Sequence, residues 1–112
     1  MTVTVRILIP PKQAEAAQTT QCTAVNCKTI IDKFTVTNTT ATAVTFAANL
    51  VPYGGTAGDA NLIIKPRTIA AGECYCCPEL VGHSLESGGM ISTLAGTASA
   101  LTICASGREI TS

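Results

Sequence analysis

TIIDKFTVTNTTATAVTFAANLV, residues Thr29 to Val51, is the stretch whose reading decides the fold. With period two, Ile30, Phe34 and Val36 share one face, and Val44, Phe46, Ala48 and Leu50 share one face after a break. Alternation of this kind marks half-buried strands. The break, Asn38-Thr39-Thr40-Ala41-Thr42, is short and polar, as a hairpin connection is. A register centred on Thr40 sets Phe34 opposite Phe46 and Val36 opposite Val44, and an opposed aromatic pair is a unit of sheet stabilisation. Asp32 interrupts the apolar face, which places the first part of its strand near a sheet edge.

Working outward, Val3, Val5, Ile7 and Ile9 alternate in a strand that Pro10-Pro11 ends. Lys12 to Gln18 holds helix formers but is too short for a stable helix, so it reads as a connection. Thr19 to Ala24 reads as a second strand. Downstream, residues 52–61 form a loop rich in Gly, Pro and Asx. Leu62 to Lys65 is a strand interrupted by Pro66, and Cys74 to Cys77 a strand stopped by Pro78. Pro78-Glu79-Leu80-Val81 begins a single helical turn. Met90 to Ala95 and Ala100 to Ala105 read as paired strands across Gly96-Thr97-Ala98-Ser99, and Arg108 to Thr111 as a last short one. About eight short strands with regular turns and almost no helix predict an all-β protein. The expected architecture is an antiparallel, jelly-roll-like β-sandwich in one domain spanning residues 1–112.

Composition narrows the function classes. The 112 residues carry no net charge, and only 12% are charged, about half the usual share. Nucleic-acid binding needs a basic face, which this chain lacks. So little charge also suits a protein covered by partners, and a homo-oligomer is expected. Thr accounts for 18 residues, a strand composition. The N-terminus shows no basic n-region or cleavage site, and the uncharged stretch from Ser87 to Gly107 contains a turn. Neither an export signal nor a membrane span is expected, and synthesis is placed in the cytoplasm.

Six cysteines are the one compositional conflict with that compartment. Cys22 and Cys27, with Cys74, Cys76 and Cys77, do not follow the paired spacings of structural zinc sites. On a strand Cys74 and Cys76 leave on one face and Cys77 on the other, which one ion cannot easily collect. Disulfides among Cys22, Cys27, Cys74, Cys76, Cys77 and Cys104, and free thiols, both remain open. His83 is the only histidine. Nothing in the sequence brings it to a nucleophile with Glu79 or Glu86, and no G-x-S-x-G elbow is present. The seven carboxylates form no pair at glycosidase or calcium spacing. Gly54-Gly55-x-x-Gly58 lacks the Lys-Ser/Thr of a phosphate loop. No catalytic residue, cofactor or metal ligand is assigned, and an enzyme is not expected.

A wider pattern remains: Phe34-Thr-Val-Thr-Asn-Thr, Val44-Thr-Phe to Leu50-Val-Pro, Gly54-Gly55-Thr-Ala-Gly58, Ile69-Ala-Ala-Gly72-Glu73, Pro78-Glu-Leu-Val-Gly82, the turn at Gly88 and Ser106-Gly107-Arg108-Glu109-Ile110-Thr111. Together these resemble small β-sandwich virion proteins of tailed bacteriophages. The resemblance covers roughly residues 29 to 112, and the six cysteines depart from it. It implies a non-enzymatic capsid decoration or linking protein that contacts the major capsid protein or other virion proteins. A neck or tail accessory protein is the rival within that class. A carbohydrate- or adhesion-type host-binding module is the rival outside it, weakened by loops poor in aromatic residues. Cysteines reduced during assembly and oxidised after lysis would reconcile six thiols with a cytoplasmic origin, giving at least one bridge within the chain or between subunits.

Overall fold

The structure, a computed structural model, describes residues 1–111, so Ser112 of the expected domain lies outside the described residues. It is an antiparallel β-sandwich of nine strands: β1 (Thr2–Gln13), β2 (Thr19–Thr23), β3 (Lys28–Asn38), β4 (Val44–Val51), β5 (Leu62–Ile69), β6 (Cys74–Tyr75), β7 (Ser84–Leu85), β8 (Met90–Ala95) and β9 (Leu101–Thr111). The first sheet runs β1-β9-β3-β6, with β7 also pairing β3, and the second runs β2-β8-β4-β5. Side chains alternating inward from both sheets form one core around Ile9, Ile31, Phe34, Phe46, Ile69, Leu101 and Ile103.

The expected hairpin of Thr29 to Val51 does not form. β3 pairs with β9, β6 and β7, whereas β4 pairs with β5 and β8, so the chain crosses from one sheet to the other between them. Phe34 and Phe46 are both fully buried and do meet, but across the core, with ring centroids 6.2 Å apart and planes tilted by 44°. The cause of the crossing is Asn38. Its buried amide donates to Thr42 O at 2.8 Å and to Ile69 O at 2.9 Å, while its Oδ1 accepts from Thr40 N at 2.9 Å. This Asx turn strands the loop away from β3 and ties it to the end of β5, and the loop has no Gly for a tight primed turn. The expected pairing of Met90–Ala95 with Ala100–Ala105 fails in the same way, because β8 lies in the second sheet and β9 in the first.

Asp32 is not a sign of an edge. It is the extra residue of a β-bulge between Ile31 and Lys33 on a strand paired with β9 on one side and β7 on the other. The bulge shifts the phase by one, so Ile31 rather than Ile30 enters the core. Opposite it, Gly107 fits where a Cβ would lie 2.0 Å from Ile30 O. The prolines end fewer strands than expected. β1 passes through Pro10-Pro11 by register shifts on either side of Ile9, and β5 passes through Pro66 at a bulge opposite Ala47. Both are edge strands, where a missing N–H costs no ladder bond. Conversely, the strand at Cys74 ends at Tyr75, since Cys77 takes φ +46°. The Pro78 segment is one turn, Leu80 N–H donating to Cys77 O at 3.0 Å, with Leu80 in the core.

Candidate functional site

The cysteines are scattered. All six are free thiols, so the expected bridge does not form within the chain. Cys77 and Cys27 are buried, Cys22 packs partly against the core, and Cys104 is half-buried on the outer face of the first sheet. Cys74 stands opposite Thr37 and Cys104 opposite Thr35, with β3 between them. Two interstrand spacings make at least about 9.5 Å, beyond the roughly 7 Å a disulfide spans. Cys77 points inward and Cys104 outward, so these two thiols do not face each other. Burial, then the charge of Glu79, pushes the Cys77 thiol up to about 12, and burial raises Cys22. Thiols so shifted are poor nucleophiles at neutral pH. Cys74 and Cys76 are exposed and remain able to meet a neighbouring chain.

The other candidates disperse too. Among the described residues no cluster of His, Cys, Asp and Glu can hold a metal ion. His83 is exposed, Glu86 pairs with Lys28 at 3.3 Å, and Glu79 accepts a short hydrogen bond from the Tyr75 hydroxyl. That bond holds the Glu79 carboxyl low, while burial and Glu79 push Tyr75 up to about 12. Arg67 lies over the Tyr75 ring at 4.1 Å. The Gly-rich loop is pinned rather than free. Buried Asn49 donates to Gly58 O at 3.0 Å and to Asn61 Oδ1 at 2.8 Å, and Asn61 donates to Thr56 O at 2.8 Å. An open cleft of about 700 Å³ at the end of the first sheet is lined by Met1, Cys27, Lys28, Glu86 and Ile110 among others. Its facing charges, Lys28 and Glu86, are already paired with each other.

One feature stands apart. Residues 2–7 of β1 are exposed on both faces and bond only to β9. Val3, Val5 and Ile7 lie on the outer face at 50%, 80% and 67% exposure. Their partners across the pair are Ile110, Arg108 and Ser106. Arg6 points the other way and pairs with Glu109 at 3.3 Å, and Arg108 is held by a bidentate bond to Asp32 at 2.9 and 3.0 Å. The free edge of β1 over these residues therefore carries an apolar row whose two adjacent arginines are each paired within the chain. The alternation of Val3, Val5 and Ile7 was visible in the sequence. What was not visible is that the register shift between Ile7 and Ile9 turns this row to the outer face while Ile9 enters the core. Comparison of the chain with protein-family models, with curated proteins and with solved structures finds no match.

Proposed function

We propose that this chain is a non-enzymatic structural protein of a tailed-phage virion, a capsid decoration or linking protein that bridges neighbouring capsomers. The bare edge of β1 carries this reading. An unprotected edge strand is a template for β-strand addition, and exposed alternating side chains give such an addition its grip. Burying a Val or Ile side chain fully is worth roughly 1.5–3 kcal/mol, so contact along this row would stabilise an assembly. The low charge, 12% of residues, supports a life in contact with partners. The β-sandwich agrees with the resemblance in the sequence, and the partner is then the major capsid protein or another virion protein. Cys74 and Cys76, exposed near the opposite edge of the same sheet, supply thiols for bridges between chains once the particle leaves the reducing cytoplasm.

The test is electron microscopy of purified virions encoding this chain, labelled with an antibody to it. Regular labelling over the capsid shell, abolished by Val5→Lys, is the expected result. Labelling confined to the neck or tail moves the chain to an accessory role. Binding to host cells by a chain absent from particles would replace this proposal with the adhesion reading.

A further inference from the structure

The occupant of the β1 edge can be named from the edge itself. Resting on the reading of β1 as an assembly edge, we infer that it pairs antiparallel with β1 of a second copy of this chain about a two-fold axis at Val5. A two-fold contact must be self-complementary, residue i meeting j and j meeting i. Centred on Val5, the register sets Val3 opposite Ile7, Val5 opposite Val5 and Ile7 opposite Val3, so the three exposed side chains meet only one another. Such β-branched pairs directly opposite are favourable cross-strand units. Centred on Arg6 instead, the register would oppose two Arg6 side chains. Centred on Thr4, it would pair Ile7 with Met1 and leave the row incomplete.

The choice of a second copy over a charged partner follows from electrostatics. Arg6 is engaged by Glu109 and Arg108 by Asp32, so both arginines next to the row are matched within the chain, and Lys33, opposite Ser106, lies a further strand in. The same strand protects its remaining length. Residues 8–13 carry two bulges and Pro10-Pro11, devices that block strand addition, while residues 2–7 carry neither. Pairing would therefore stop where the devices begin. The result is one continuous sheet through both copies, with the outer faces of the two first sheets on the same side. The contact is small by the standards of stable interfaces, so a dissociation constant on the order of 10–100 μM is expected.

Sedimentation equilibrium of the purified chain alone tests this. A monomer–dimer equilibrium in that range, weakened at least tenfold by Val5→Lys with the circular dichroism unchanged, is expected. Val5 is exposed, so the variant folds. Under mild oxidation Val5→Cys should cross-link far more than Thr4→Cys, with the native chain setting the baseline for its own thiols. A monomer up to roughly 1 mM overturns the inference. So does a dimer indifferent to Val5→Lys, or preferential cross-linking of Thr4→Cys. A monomer that still labels the capsid shell through Val5 overturns only the two-fold contact and leaves the assembly role standing.

Discussion

β5 and the first half of β1 occupy the same place in their sheets, the outermost, and solve the edge problem in opposite ways. β5 exposes Lys65, Pro66 and Arg67 in succession, with a bulge where Pro66 falls, and Arg67 is drawn over Tyr75. Charge, a missing N–H and a bulge are the means by which natural sheets refuse a further strand. Residues 2–7 of β1 have none of these on their outer row. They offer Val3, Val5 and Ile7 instead, and the two nearby arginines are neutralised. Under the proposal that β1 is an assembly edge, a chain that protects one edge and leaves another bare would be selective about where it assembles. Low charge alone would make the whole surface adhesive; the difference between the two edges would make that adhesion directional.

The strongest way to break the comparison is to remove the scaffold of β1. In Gly107→Ala, the new Cβ would sit 2.0 Å from Ile30 O and 2.9 Å from Leu8 Cδ1, so backbone must move. A cost of roughly 2–4 kcal/mol is expected. Hydrogen exchange should quicken in β1 and in residues 106–111 while β5 keeps its protection. Equal acceleration in β5 would show that the two edges are not independent.

Next is to make β5 like β1. Lys65→Thr, Pro66→Val and Arg67→Thr together, in a Val5→Lys background, should create a second adhesive edge. Self-association at least tenfold tighter than in Val5→Lys alone is expected by sedimentation. No change would mean that charge and proline are not what keeps β5 single.

How far the edges and the core were legible in the sequence follows the same logic. Period-two alternation in residues 29–51 identified strands and both core phenylalanines. It could not distinguish a hairpin from two facing sheets, because both bury Phe34 and Phe46. The deciding group was the side chain of Asn38, whose amide reaches Ile69 at 2.9 Å, a contact 31 residues distant in sequence. The bulge at Asp32 likewise depends on the partner strand and exchanged Ile30 for Ile31 in the core. For β1, alternation told which residues share a face but not whether anything covers that face. The register shift between Ile7 and Ile9 decides it, turning Val3, Val5 and Ile7 outward and Ile9 into the core. The separation of Cys74 from Cys104 by β3 needed the topology, since spacing along the chain does not tell which strands are neighbours.

A third edge, beyond β3, tests whether protection can be lost by titration. There β6, β7 and the loop between them close the first sheet, with Cys77 and Leu80 in the core. The folded chain holds the Cys77 thiol up to about 12, against an ordinary value of 9.0. Below pH 9 both states keep the proton and the contribution to stability is complete. From pH 9 towards 12 the unfolded chain releases it while the folded chain retains it, so stability falls by up to about 1.4 kcal/mol per pH unit. Cys22 acts in the same direction. Denaturant midpoints between pH 9 and 10 should therefore decline, and decline less in Cys77→Ala. An identical slope in that variant would assign the loss to other groups.

The smallest effect concerns Arg108, which stands opposite Val5 on one side and Ile30 on the other. In the two-fold contact the order across the sheet is Ile30, Arg108, Val5, then Val5, Arg108 and Ile30 of the second copy. The two Arg108 backbones are then three interstrand spacings apart, about 14 Å. Asp32 cancels each of them through its bidentate bond at 2.9 and 3.0 Å. Asp32→Asn removes that cancellation and leaves two cations facing each other across the contact. The separation exceeds the Debye length of about 8 Å at physiological salt, so the repulsion is screened there and felt only at low ionic strength. Dimerisation should weaken roughly twofold at about 10 mM salt and not measurably at about 150 mM. β5 contributes nothing to this row, so the same low-salt change should leave any association through an altered β5 untouched. A loss that persists at high salt would mean that Asp32 acts through the bulge geometry of β3, and that the bare edge depends on backbone shape more than on charge.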